Sequence, residues 1–138
     1  MKAAVLEPEF VEYIPEQLDQ GRLYVSMKYA TVCHSCCCGC GAKVVTPLSP
    51  AFWKLSFDGE GVSLYPSIGN WESPCESHYW IKGNRVIWDR PWSRAQIDAG
   101  RKKAQREREA HFQLRTAPVP EASRPKVTML ERLRSWLR

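Results

Sequence analysis

Six cysteines, five of them crowded with a histidine into "CHSCCCGCG" (residues 33–41), constrain this 138-residue chain more than any other feature. An extended backbone turns alternate side chains to one face, so Cys36, Cys38 and Cys40 share a face while Cys37 points away. On a straight strand Cys36 and Cys40 would stand about 13 Å apart, too far for one zinc with bonds of about 2.3 Å. The segment must bend, and Gly39 and Gly41 permit it. Cys38 and Cys40 can then clamp one ion, Cys36 adds a third thiolate, and Cys75, the only cysteine outside the cluster, closes the site across the fold. His34 is the competing ligand. Either set completes a tetrahedron without an open position, which predicts a structural Zn2+ rather than a catalytic one. Cys33 and Cys37 fit a different role, as small buried hydrophobes.

A staple is what the rest of the chain calls for. Nearly all aromatic and β-branched residues precede position 92, so the core belongs to roughly the first 90 residues, a size at which apolar burial alone is marginal. Charge divides at the same place: residues 1–92 carry 8 Lys and Arg against 10 Asp and Glu, and residues 93–138 carry 12 against 5. The overall +5 is thus a property of the tail. Glu107 and Glu109 interrupt its basic run, which argues for a solvated helix over a nucleic-acid surface. No stretch is long and apolar enough for a membrane span, and the acidic N-terminal region is unlike an export signal. These features predict a cytoplasmic protein, where reduced thiols favour metal binding over disulfides.

Organisation follows the same division. "FVEYIP", "GRLYVSMKYATV", "AKVVTPL", "FWKLSFDGEGVSLYPSIG" and "SHYWIKGNRVIWD" read as short strands, with "DGEG" (58–61) and "KGN" (82–84) as hairpin turns. Their cadence predicts a mainly β fold, a small antiparallel β domain over residues 1–92. A charged helix is expected over 93–116, with few apolar residues and Gly100 in its middle. A Pro-rich linker (117–126) and a short amphipathic helix (127–138), suited to docking a partner, complete the chain.

The second chemically informative stretch is "YPSIGNWESPCESHYWI" (65–81). Ser67 sits in a turn bounded by proline and glycine, where a hydroxyl and neighbouring amides can face the same point, as a nucleophile and its oxyanion donors must. His78 lies eleven residues on, with Cys75 between them, so a metal that fixes this loop would also position the serine and the histidine. Asn70 can orient the imidazole or donate to the oxyanion. An acidic third member stays open among Asp58, Glu72, Glu76 and Asp89. Taken alone, a turn serine is more often a turn or capping residue and a strand histidine a packing residue.

Residues 9–88 resemble a family on three segments found together: His-x-Cys-x-Cys-Gly-Cys-Gly, Pro-Ser-Ile-Gly-Asn-Trp and Cys-x-Ser-His-Tyr-Trp-Ile. The family is that of small metal-binding serine peptidases encoded in bacterial operons for ubiquitin-like protein conjugation. The resemblance implies a peptidase that processes a ubiquitin-like precursor or removes the modifier from conjugates, with that modifier and its conjugation enzymes as partners. It places the metal motif on His34, Cys36, Cys38, Cys40 and Cys75 and the active site on Ser67 and His78. The alternative is a non-enzymatic zinc-binding interaction module of the same pathway.

Overall fold

A computed structural model describes residues 2–118. Eight strands form two four-stranded sheets. The first contains β1 (Glu7–Phe10), β2 (Arg22–Ser26), β3 (Thr31–Ser35) and β4 (Lys43–Pro47) in that order. The second contains β5 (Lys54–Phe57), β6 (Val62–Gly69), β7 (His78–Lys82) and β8 (Arg85–Trp88), again in chain order. Each sheet is therefore built from neighbours in sequence, as the turn signals implied. The pairing is antiparallel throughout except for β1 against β2, which is parallel.

That parallel pair corrects the expectation of a strand over 10–15. β1 ends at Phe10; Val11 N–H still donates to the Val25 carbonyl at 2.9 Å, and from Glu12 onward the chain crosses the outer face of β2 and β3. Polar side chains hold it there: Ser26 Oγ donates to the Glu12 carbonyl at 2.7 Å, Lys28 pairs with Glu12, and Gln20 Nε2 donates to the Cys36 carbonyl at 3.1 Å. The long run 21–32 likewise divides into β2, a turn and β3. Four successive residues in each of β2 and β3 are buried because the crossing loop covers the face that alternation alone would leave exposed.

The inward faces of the two sheets share one apolar core. Leu23, Val25, Val32 and Val44 come from the first, and Val62, Leu64, Ile68, Tyr79 and Ile81 from the second. Cys36 and Cys37 are fully buried in the same cluster. Burial pushes the Cys37 thiol up to about 12, so it stays protonated and packs as a small hydrophobe. One polar contact crosses this core: His34 Nε2 on β3 lies 2.7 Å from the Tyr79 hydroxyl on β7. Burial lowers the His34 pKa to about 4 and raises that of Tyr79, so both groups are neutral where they meet.

Helix α1 (Arg94–Thr116) follows the second sheet. Ser93 caps it through a reciprocal pair: its Oγ accepts from Gln96 N–H and the Gln96 side chain accepts from Ser93 N–H. Ile97 is its buried anchor, and Gly100 explains itself by packing: a Cβ there would stand 2.8 Å from the Trp92 ring. The greater part of the expected linker and the whole of the expected helix over 127–138 lie outside the described residues.

Tyr79→Phe leaves the buried His34 Nε2 without its partner. It should lower unfolding free energy by about 1–3 kcal/mol in urea titrations, with unchanged far-ultraviolet circular dichroism of the native state.

Candidate active site and cysteine clamp

The β7–β8 hairpin turns at Gly83 and Asn84, both at positive φ, as a two-residue turn between right-twisted strands requires. Its register pairs Lys82 with Arg85 and Tyr79 with Trp88, which carries His78 and Asp89 to opposed positions at the open end. Asp89 N–H indeed donates to the His78 carbonyl at 2.9 Å. Their side chains also meet: Asp89 Oδ2 stands 3.8 Å from His78 Nδ1. The carboxylate is held ionised below its ordinary range, first by the Arg90 N–H and then by the Trp80 indole N–H.

On the neighbouring strand, Leu64 of β6 pairs with Ile81 and Ile68 with Tyr79, so β6 is bulged between them. The extra length re-aims the residues it contains, Ser67 among them. Ser67 Oγ lies 3.0 Å from His78 Nε2. On the other side of the ring, Nδ1 is 3.3 Å from the Arg90 carbonyl, an oxygen that can only accept. The neutral imidazole therefore carries its proton on Nδ1 and presents the Nε2 lone pair to the serine hydroxyl. A hydroxyl, a base in reach of it and an oriented base is the arrangement that nucleophilic serine chemistry needs.

Aromatic rings hold the histidine in place. Trp71 and Trp92 have ring centroids 5.1 and 4.9 Å from that of His78 and stack on each other at 5.5 Å. Gly69 makes room for this, since a Cβ there would fall 2.4 Å from Trp71 Nε1. Ser67 and His78 open onto a cleft of about 480 Å³ whose walls include Trp53, Tyr65, Trp71, Trp92 and one face of α1.

The cysteines assemble beside the 70–77 loop, which contributes Cys75. The thiols of Cys36, Cys38, Cys40 and Cys75 all lie within 4.8 Å of one another. Cys36 is 3.5 Å from Cys38 and 3.9 Å from Cys75, and Cys40 is 3.8 Å from Cys75. Four sulfurs bound to one tetrahedral zinc at about 2.3 Å would stand about 3.8 Å apart, close to the separations seen, so the donor set could hold such an ion. His34 is not part of the group; its Nε2 faces Tyr79 in the core.

Asn70 also lies on the cysteine side. Its Nδ2 donates to Cys36 Sγ at 3.2 Å and its backbone N–H to the Ser77 carbonyl at 2.8 Å. Neither role set out for it, orienting the imidazole or donating to an oxyanion, fits these engagements. It ties the end of β6 to the sulfur cluster and to the residue before His78.

Asp89 was one of four acidic candidates in the sequence, and the hairpin register around "KGN" is the signal that singles it out. The Arg90 carbonyl and the two tryptophans had no comparable signal, because each depends on where a loop returns. Metal analysis of the purified protein should give one ion per chain, and Cys75→Ser should lower that content and the melting temperature together. A Cys33→Ser variant should keep its metal.

Comparison with curated proteins and with solved structures yields no match. A family model does match residues 10–89, more than half of the chain, and carries all of the strands from β2 to β8 together with the cysteines, Ser67, His78 and Asp89. By that match, the chain belongs to the bacterial ubiquitination-like system serine protease (BubE) family.

Proposed function

We propose that the protein cleaves the bond after the C-terminal glycine of a ubiquitin-like modifier, in a precursor or in a conjugate, with Ser67 as nucleophile and His78 as general base. The 3.0 Å approach of Ser67 Oγ to His78 Nε2 inside an open cleft carries this reading. Asp89 and the Arg90 carbonyl form the third element, which fixes the ring tautomer and favours the imidazolium that forms as the proton moves.

The steps follow from that geometry. Ser67 Oγ bonds to the substrate carbonyl carbon as its proton passes to His78 Nε2. The imidazolium gives that proton to the leaving amine, and the C–N bond breaks to leave an acyl-enzyme. Water, deprotonated by the same nitrogen, then releases the modifier's carboxylate and restores the serine. Of the amides neighbouring Ser67 that could hold the oxyanion, that of Asn70 already donates to the Ser77 carbonyl, which leaves the role to amides nearer Ser67. A glycine tail suits a cleft walled by aromatic rings because it brings no side chain to clash with them.

Cys36, Cys38, Cys40 and Cys75 would hold a Zn2+ whose four thiolates supply structural closure and no open coordination position. The sulfurs flank the 70–77 loop, which begins just past β6 and ends just before His78, so the clamp acts on the serine–histidine distance and not on the substrate. An adaptor without enzymatic activity is the competing reading, and it predicts no reactive serine.

A fluorophosphonate probe should label the protein on Ser67. Ser67→Ala and His78→Ala should each abolish cleavage of a ubiquitin-like precursor while metal content stays at the parental value. Asp89→Asn should reduce kcat less than the roughly 10⁴-fold loss seen when a buried triad aspartate is replaced, because the Arg90 carbonyl still orients the ring. Cleavage by Ser67→Ala at the parental rate would rule out the serine mechanism.

A further inference from the structure

The family match ends at residue 89, yet the cleft over Ser67 and His78 is completed by α1, which starts at Arg94. Charge distinguishes this wall from the rest of the site. Arg101, Lys103 and Arg108 on the helix and Lys54 on β5 line the cleft, against a single lining carboxylate, Glu107. Arg101 and Arg108 are seven residues apart, with Ile97, Gly100 and Ala104 on the same helical face, so the basic groups stand on the side of α1 that meets the site.

Two of these cations are already engaged. Arg101 lies 3.6 Å from Glu72, and Lys103 lies 4.0 Å from Glu107. Among the described residues, no carboxylate comes within ion-pair distance of Lys54 or Arg108. Arg108 is also packed, unlike a solvated surface arginine: its guanidinium carbon is 4.5 Å from the centroid of the Phe52 ring, and its Nε is buried without a hydrogen-bond partner among the described residues. A guanidinium fixed on an aromatic face has lost much of its rotamer freedom before any ligand arrives, and its planar fork matches a carboxylate.

We infer that Arg108 and Lys54 form a carboxylate-reading subsite in the same cleft as Ser67, so that α1 selects substrates bearing an acidic group beside the scissile bond. This rests on the serine peptidase reading for its consequence, though the subsite can be tested apart from catalysis. The carboxylate comes either from an Asp or Glu side chain near the glycine or from the free C-terminus of a short precursor tail.

Ser67→Ala full-length protein would be titrated against fluorescein-labelled octapeptides with a central Gly-Gly, carrying Glu or Gln beside it and ending in a free acid or an amide. The carboxylate form should bind about tenfold tighter than its neutral counterpart, with the contrast shrinking as salt rises. Arg108→Gln and Lys54→Gln, each made in that background, should cut the contrast at least about threefold, while Arg106→Gln, absent from the cleft lining, should preserve it. A Glu-over-Gln contrast assigns the side-chain source, and an acid-over-amide contrast assigns the terminus. Equal binding of all four peptides, no binding at millimolar peptide, or a contrast that survives both Lys54→Gln and Arg108→Gln overturns the subsite. Cleavage of the same peptides by the parent separates the two readings: cleavage without contrast removes the subsite alone, and contrast without cleavage removes the peptidase alone.

Discussion

The approach of Cys75 to Cys36 and Cys40 is the contact on which the proposed bracing of the site depends. Cys36, Cys38 and Cys40 follow β3 of the first sheet, and Cys75 lies between β6 and β7 of the second. A bond from one ion to all four would therefore join the two sheets and restrain the loop that separates the proposed nucleophile from its base. Apolar burial between the sheets supplies cohesion without direction. An ion on the sulfur cluster would supply direction, at an edge where a displacement of the loop would move His78 relative to Ser67.

The histidine is restrained from three sides by different physics. The β7–β8 hairpin sets its backbone position, the Trp71 and Trp92 rings set the plane in which its imidazole can lie, and the Arg90 carbonyl sets the tautomer. None of these requires a metal, but the loop bearing Trp71 is the same one that Cys75 and Asn70 tie to the cluster. Gly69 and Gly100 mark where this packing leaves no space for a side chain, one against Trp71 and the other against Trp92. The aromatic pair thus links the clamp, the histidine and α1.

Much of this could be read from residue patterns. Turn signals at 58–61 and 82–84 located two hairpins, and the bend demanded by Cys36, Cys38 and Cys40 led to Cys75 as the fourth sulfur, which the structure brings to the other three. Patterns with a fixed period or a fixed bond length carry over to three dimensions because the physics behind them is local. The misses were non-local. β1 pairs in parallel over Glu7–Phe10 where alternation suggested a strand at 10–15, since the crossing loop is held by side chains of β2. Asn70 faces sulfur because of where Cys36 lies, and α1 lines the cleft because Gly100 admits Trp92. Cys36 and Asn70 are 34 residues apart, beyond any local window of sequence.

If the metal serves only to hold Ser67 and His78 together, its own chemistry should not matter. The direct measurement is the rate of fluorophosphonate labelling of Ser67 in protein stripped of metal and then reloaded with zinc or with cadmium. The account predicts that labelling is lost on stripping and returns to about the same rate, within roughly twofold, with either ion, since both satisfy a four-thiolate site. Labelling that persists undiminished in metal-free protein would contradict it.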